Sequence, residues 1–441
     1  MLIPLQGRAI DFKAEVDPLA QSLLADELAV GFVVGIYKDG ATQVLSYGET
    51  EKGSSIAPDG DTIYEIGSAS KVFTGVLLAD LVLRGQVKLE DPMQKYLPEA
   101  TQSMLTNRSR ITFEHLATHT SGLPSLPDNF SPADMLNPYA DYTPRQAFEF
   151  LKDYKLTRLP GEYEYSNYGM GLLGLLLASR EKVPYEQLMV EHIAKPCDMK
   201  DTCIKLTEKQ SERLAPPYDA TLQRTKNWDI PTLAGAGAIR STVNDMLKFV
   251  AANHAENDQP LTKALRMSHE KRHKMDDGQS IGLAWHIEPD GITRWHNGMT
   301  GGYASWVSVV PGRNAGVVVL CNTATDKITE FGQNITRITL GKTIEQPPVP
   351  AITKVSPSTL KSYEGVYAIT PQFALTVKLD GDQLTVQGTG QPPLKVFPES
   401  EAKFACKVVD AQITFAGEKD GKAAMLILHQ NGADQVAKRQ D

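Results

Sequence analysis

The sequence predicts an α/β (α+β) protein of two domains: an antiparallel sheet flanked by helices, with a helical insertion, followed by a small all-β, barrel-like domain. Three observations carry that expectation. Strand signals stand at both ends of a long first part of the chain, with helical patches between them, so one sheet is built from distant segments. A proline cluster, Gln346-Pro347-Pro348-Val349-Pro350, then interrupts the pattern. Beyond it, apolar residues alternate in short runs separated by turn residues. The predicted boundaries are residues 1–345 for the first domain, 346–356 for a Pro-rich linker and 357–441 for the second.

In chain order, residues 12–27 read as an amphipathic helix. Phe32–Tyr37 and Gln43–Tyr47 read as a hairpin across Lys38-Asp39-Gly40. A helix runs from Ser68 to about Leu83, carrying Val72, Phe73, Val76, Leu77, Leu81 and Val82. Helical patches and long loops fill residues 85–280. Strand signals return at Trp285–Ile287, Ile292–Trp295, Tyr303–Val310 and Gly316–Cys321, and a helix near Lys327–Leu340 closes the domain. The first and last of these helices are expected to pack together on one face of the sheet. Past the linker, seven runs read as strands, beginning at Tyr363–Tyr367 and ending at Ala424–Leu428, with turns at Asp380-Gly381-Asp382 and Asp420-Gly421.

Composition narrows the function. The chain has 441 residues, 41% hydrophobic and 22% charged, which suits a large folded core. A net charge of −8 argues against a nucleic-acid partner. No apolar run is long enough for a transmembrane segment. The start, Met1-Leu2-Ile3-Pro4-Leu5, lacks the basic and apolar regions of a signal peptide. The chain is therefore cytoplasmic, or periplasmic or secreted if a leader has been removed. None of the cysteines, Cys197, Cys203, Cys321 and Cys406, forms a C-x-x-C. Cys321 reads as core, free thiols are the commoner state, and a Cys197–Cys203 pair is the alternative.

The chemistry begins at Gly67-Ser68-Ala69-Ser70-Lys71. S-x-x-K by itself carries no weight, because it also occurs at Ser179–Lys182, Ser268–Lys271, Ser358–Lys361 and Ser400–Lys403. Only Ser68 opens a long apolar helix after a glycine. There the i, i+3 spacing places the Lys71 amine within reach of the Ser68 hydroxyl. The helix start offers unpaired N–H groups, so the Ser68 N–H can serve an oxyanion. A desolvated lysine can lose its proton near neutral pH. The bland alternative is a helix cap followed by a solvated lysine.

Two further boxes shift that balance. Glu164-Tyr165-Ser166-Asn167-Tyr168-Gly169 holds the chain's one Y-x-N and precedes the apolar helix Leu172–Leu177. Tyr165 can bond the nucleophile and act as a base, and Asn167 offers a donor and an acceptor to a substrate amide. His296-Asn297-Gly298-Met299-Thr300-Gly301-Gly302-Tyr303 lies beside a strand. His296 can meet a substrate carboxylate or carry the leaving-group proton. The Met299 N–H is the natural second oxyanion donor, and the glycines let a substrate backbone approach. Alone, each box also reads as an ordinary loop.

Taken in this order, the three boxes resemble the penicillin-recognising serine hydrolases. Tyr165-Ser166-Asn167 in place of S-D-N resembles the class C branch: class C β-lactamases, D-alanyl-D-alanine carboxypeptidases, D-aminopeptidases and related esterases. Leu116-Ala117-Thr118-His119-Thr120-Ser121-Gly122-Leu123, Gly235-Ala236-Gly237 with Ser241-Thr242, and Tyr303-Ala304-Ser305-Trp306 add to the likeness, which covers residues 15–342. It implies a β-lactamase/transpeptidase-like fold. It also implies Ser68 as nucleophile, Lys71 as proton acceptor, Tyr165 as partner base and later acid, and Ser68 and Met299 as the oxyanion N–H pair. Asn167, His296, Asn297 and Gly298 are then substrate-binding. One departure stands out: His296-Asn297-Gly298 replaces the K-T-G of class C β-lactamases, which places efficient β-lactam turnover in question. The C-terminal part resembles domains appended to non-lactamase members.

The expected substrate is a small molecule or peptide: a β-lactam, a D-amino-acid peptide or an ester. A carboxypeptidase, aminopeptidase or carboxylesterase activity is the alternative within the family. A non-catalytic cell-wall-peptide or β-lactam sensor is the alternative outside it. No cofactor and no metal is expected. His115 and His119 stand i, i+4 without a third ligand and read as shaping the loop beneath the site. Trp285, Trp295 and Trp306 read as core or pocket wall, and Glu162 and Glu164 as loop surface. The sequence sets no oligomeric state.

Overall fold

The computed structural model describes residues 11–102, 111–344, 355–406, 409–430 and 432–440. The chain forms two compact units, Met1–Glu345 and Gln346–Asp441. The proline cluster lies outside the described residues.

Helix α1 (Phe12–Ala25) is capped by Asp11, whose carboxylate accepts the Ala14 N–H at 3.2 Å. Strands β1 (Gly31–Lys38) and β2 (Ala41–Gly48) form the expected hairpin, with Phe32 opposite Tyr47 and Lys38 opposite Ala41. A short strand, β3 (Ile63–Glu65), runs into a 3-10 turn at Gly67–Ala69 and then helix α2 (Ser70–Leu83). Helix α3 (Asn167–Glu181) follows a region of long loops and short helices. Strand β4 (Arg240–Thr242) pairs with β3 and leads into α4 (Val243–Ala252) and α5 (Pro260–Ser268). Strands β5 (His273–Lys274), β6 (Ser280–Ile281), β7 (His286–Ile287), β8 (Arg294–Met299), β9 (Ala304–Val310) and β10 (Ala315–Cys321) then precede α6 (Lys327–Thr339).

These strands make one eight-stranded antiparallel sheet in the order β2-β1-β10-β9-β8-β7-β6-β5. The N-terminal hairpin therefore joins a C-terminal meander through β1 and β10. The first and last helices, α1 and α6, pack against each other and against the sheet, as expected. Their layer is close: a Cβ on Gly332 of α6 would fall 2.2 Å from the Trp306 ring of β9. The opposite face meets α4, where a Cβ on Gly35 would fall 2.6 Å from Val243.

Helix α2 is buried on every side from Ser70 to Leu81. A helix apolar all round belongs in a core rather than at a surface. This burial, and not the motif alone, is what strips water from Lys71.

Strands β5 and β6 are two-residue additions at the sheet edge that no alternating run announces. The thiols of Cys197 and Cys203 are free, so the alternative disulfide does not form, and burial pushes both up to about 12.

The second unit starts with a short helix, α7 (Pro357–Tyr363). Eight strands follow: β11 (Gly365–Thr370), β12 (Phe373–Asp380), β13 (Gln383–Gly388), β14 (Leu394–Pro398), β15 (Lys403–Cys406), β16 (Ala411–Lys419), β17 (Lys422–Gln430) and β18 (Ala433–Arg439). They close into an antiparallel barrel, sealed where Tyr367 of β11 pairs with Arg439 of β18. The sequence reading has seven strands and lacks β18. That strand, Ala-Asp-Gln-Val-Ala-Lys-Arg, is mostly exposed and poor in β-branched and aromatic residues, so only its pairing with β17 and β11 makes it a strand.

Candidate active site

Gly67 adopts φ +50°, which turns the chain sharply between β3 and α2 and presents Ser68 half-buried at the helix start. A Cβ on Gly67 would lie 2.7 Å from the Met299 nitrogen, and one on Gly298 would lie 2.0 Å from the Ile66 carbonyl. The end of β8 is therefore pressed against the residues preceding Ser68. Glycine is required on both sides of that contact. The Ser305 hydroxyl donates to the Ile66 carbonyl at 2.7 Å and holds the two segments together. The Met299 main chain thus adjoins the Ser68 turn, whose own N–H groups precede the helix ladder.

Lys71 is fully buried. Its Nζ lies 2.9 Å from Ser68 Oγ, 2.8 Å from Asn167 Oδ1 and 2.7 Å from the Ala236 carbonyl. Burial holds its pKa well below the usual lysine range. A neutral amine has two hydrogens and one lone pair. The two carbonyl-type oxygens can only accept, so they take both hydrogens, and the lone pair is left for the Ser68 hydroxyl. The arrangement is that of a base poised on an alcohol.

The other walls follow from local structure. The segment Ala234–Gly237 docks on α2, where Thr74 Oγ1 donates to the Gly235 carbonyl at 2.7 Å and Ser70 Oγ accepts the Ile239 N–H at 3.1 Å. That docking places the Ala236 carbonyl on Lys71. Ser166 caps α3, accepting the Gly169 N–H at 2.8 Å and donating to the Pro124 carbonyl at 2.6 Å. Asn167, the first residue of α3, consequently faces Lys71. Tyr165, the residue before the cap, hydrogen-bonds Ser68. Burial pushes the Tyr165 phenol well above its ordinary range. Burial thus disfavours the charged form of each group, the ammonium of Lys71 and the phenolate of Tyr165.

His296 and Asn297 sit on opposite faces of β8, as strand alternation requires. His296 is fully buried, with its ring centroid 6.3 Å from that of Tyr165. Its Nδ1 lies 2.5 Å from the Asn297 carbonyl and donates to it, which leaves Nε2 a buried acceptor with no protein partner. Burial, with His286 and Lys71 nearby, holds its pKa well below the usual histidine range. Asn297 departs from the expected substrate-binding role. Its side chain donates to Thr329 Oγ1 of α6 at 3.0 Å, in the layer where Trp295 stacks on Trp306 at 4.9 Å. Of the expected side chains, Ser68, Lys71, Tyr165, Asn167 and His296 gather together; Gly298 and Met299 contribute main chain; Asn297 faces the other way.

His119 is the residue whose part at the site the sequence reading understates. Buried at φ +57°, it accepts the Ser166 N–H through Nδ1 at 3.1 Å, and its ring stacks on Tyr165 at 4.4 Å. His115 turns away to close a capping box with Thr112. Glu164 pairs with Arg158 at 2.6 Å, at the loop surface.

Comparisons with known proteins give the family. The Beta-lactamase family model matches residues 16–334, and a family described as a domain of unknown function, DUF3471, matches residues 350–439. A beta-lactamase of Pseudomonas fluorescens is 27% identical over 71% of this chain and 94% of its own length. The D-alanyl-D-alanine-carboxypeptidase/endopeptidase AmpH of Escherichia coli is 30% identical over 69% of this chain and 82% of its own. Among solved structures, a beta-lactamase/D-alanine carboxypeptidase from Yersinia pestis, complexed with citrate, superposes with a TM-score of 0.63 at 26% identity, covering 75% of this chain and 98% of that one. A class C beta-lactamase superposes with a TM-score of 0.66 at 22% identity, covering 77% and 99%. The chain belongs to the β-lactamase family and is a serine hydrolase of the class C β-lactamase type.

Proposed function

We propose that the enzyme cleaves an amide or ester bond of a D-amino-acid peptide or a related small acyl compound, through an acyl-enzyme on Ser68, and turns β-lactams over slowly. The observation that carries the chemistry is the buried Lys71 amine, 2.9 Å from Ser68 Oγ and held by the Asn167 and Ala236 carbonyl oxygens at 2.8 and 2.7 Å. The Ser68 oxygen attacks the substrate carbonyl carbon as its proton passes to Lys71. The N–H groups of Ser68 and Met299 hold the resulting oxyanion. Tyr165 gives its proton to the leaving nitrogen or oxygen and regains one from Lys71. The acyl bond to Ser68 then remains until water, deprotonated through the same Tyr165–Lys71 pair, displaces the serine oxygen. The Asn167 side chain, its oxygen bound to Lys71, keeps its NH₂ for a substrate carbonyl.

The substrate preference rests on His296. In β-lactamases with K-T-G a lysine supplies a permanent cation at this point; here a neutral imidazole does not. Nitrocefin, a D-Ala-D-Ala peptide and p-nitrophenyl butyrate, assayed side by side, test the reading. Peptide or ester turnover well above nitrocefin turnover, and lost in Ser68→Ala, is the expected result. Full turnover in Ser68→Ala refutes the mechanism, and nitrocefin as the best substrate refutes the preference. Intact mass after brief benzylpenicillin treatment separates a slow acyl-enzyme from a fast one.

A further inference from the structure

We propose that the C-terminal barrel is a binding site for an uncharged, elongated apolar molecule with a hydrogen-bonding end. Its interior is divided into two layers by strand alternation. One layer is filled: Tyr363 of α7 stacks on Phe415 with ring centroids 4.0 Å apart, and Phe404 and Tyr367 pack edge-on against Phe415 at 5.7 and 5.9 Å. Arg439 bonds the Tyr367 hydroxyl at 2.9 Å and the Ala423 carbonyl at 3.0 Å across that end. Helix and aromatics together plug it.

The other layer is not filled. Two residues along the strand, the inward residue becomes smaller on β16, from Phe415 to Ile413, and on β13, from Leu384 to Val386, while on β17 fully buried Leu426 gives way to half-buried Leu428. Ile413, Val386 and Leu428, with Leu375 and Val396, surround a cavity of about 450 Å3. An eight-stranded barrel is just wide enough either to be packed solid by its side chains or to hold one small ligand. This one does the first at one end and has room for the second at the other. The volume falls within the range of about 300–1,000 Å3 typical of small-molecule pockets.

Access and polarity define the ligand. Val386, Cys406 and Leu428 point inward yet are only half-buried, so the cavity opens to solvent. Among the described residues no charged side chain lines it; its polar side chains are Gln391, Gln430, Gln435 and the Cys406 thiol. A ligand carrying a full charge would lose hydration with no counter-charge to receive it. An apolar tail regains the dispersion contacts that the unfilled layer lacks, and the amides at the mouth suit a hydroxyl or an amide.

The test uses the full chain and the neutral fluorophore N-phenyl-1-naphthylamine, displaced by 1-decanol or by decanoate. Expected are one saturable site per chain, displacement by 1-decanol at concentrations several-fold below decanoate, and at least a tenfold loss of fluorophore affinity in Val386→Trp and Leu428→Trp, with ester hydrolysis retained. No saturable site, decanoate displacing as well as decanol, or unchanged affinity in folded Trp variants overturns the proposal. Should both variants lose their native melting transition, alkylation of Cys406 by N-ethylmaleimide, read by peptide mass, decides. Protection by 1-decanol in the wild-type chain supports the site, and no protection overturns it.

Discussion

The His119 ring lies on the Tyr165 ring, centroids 4.4 Å and planes 28° apart, while its Nδ1 accepts the N–H of Ser166. One side chain therefore fixes both the plane of the phenol and the backbone that carries it. His119→Ala is expected to lower kcat on the order of 10²-fold with little change in KM, since small misplacements of a reacting group cost that much. His119→Asn, which tolerates positive φ and offers a short acceptor, should recover part of the loss. Equal kcat in wild type and His119→Ala, in a fold of unchanged melting temperature, would remove His119 from the mechanism.

The opposed shifts of Lys71 and Tyr165 set the pH profile. Catalysis needs the amine neutral and the phenol protonated. Lys71 is held well below the lysine range by burial, so kcat/KM for a neutral ester rises on an acid limb far below pH 10. Tyr165 is pushed above the phenol range, so no alkaline loss from this group is expected up to pH 10. A rate still climbing at pH 10 would mean that Lys71 is an ordinary lysine.

The same shift has a thermodynamic consequence independent of activity. Between the folded and the unfolded pKa of Lys71, the unfolded chain binds the proton and the folded chain does not. Stability from this group is thus fully present above the unfolded value, near 10.4, and is lost as pH falls toward the folded one, by about 1.4 kcal/mol per pH unit. Urea unfolding of wild type and Lys71→Met at pH 7, 8 and 9 should show wild type gaining on the variant at each step. Parallel curves would contradict a desolvated amine.

How much of this was legible in the sequence depends on the kind of constraint. Ser68, Lys71, Tyr165 and Asn167 are tied to helix starts, and helix starts leave caps and apolar periodicity in the sequence, so these residues could be placed. The face of β8 could not: His296 and Asn297 are neighbours, and only pairing with β9 and packing on α6 decide which turns inward. In the sequence His119 reads only as a residue shaping the loop, because its stacking partner lies 46 positions away and positive φ leaves no mark on a histidine. Strand β18 has too little propensity to be seen before the barrel closes around it.

That division of β8 is testable. Asn297→Ala removes the bond to Thr329 and should cost about 0.5–1.5 kcal/mol of stability, with kcat/KM within twofold of wild type. His296 behaves differently. Its neutral ring offers a bare Nε2, and an arriving carboxylate favours the charged form, so binding takes up a proton. For carboxylate-bearing substrates KM should fall as pH is lowered, while KM for a neutral ester stays flat, and His296→Ala should abolish the difference. The same pH dependence in His296→Ala would assign the proton to another group.

Gly67 offers the sharpest test of the oxyanion assignment. Its Cβ position lies 2.7 Å from the Met299 nitrogen and 2.9 Å from the Met299 carbonyl oxygen, at a φ that side chains rarely adopt. Alanine there must push the end of β8 away from the Ser68 turn, separating the two N–H donors without touching Lys71 or Tyr165. Losing one such donor costs about 10²–10³-fold in kcat, so Gly67→Ala should fall by that factor while keeping substrate KM and the shape of the pH profile. A volume-conserving control at the other side of the contact, Met299→Leu, leaves the main-chain N–H in place and should retain most activity. If Gly67→Ala, folded, kept wild-type kcat, Met299 would not be the second donor.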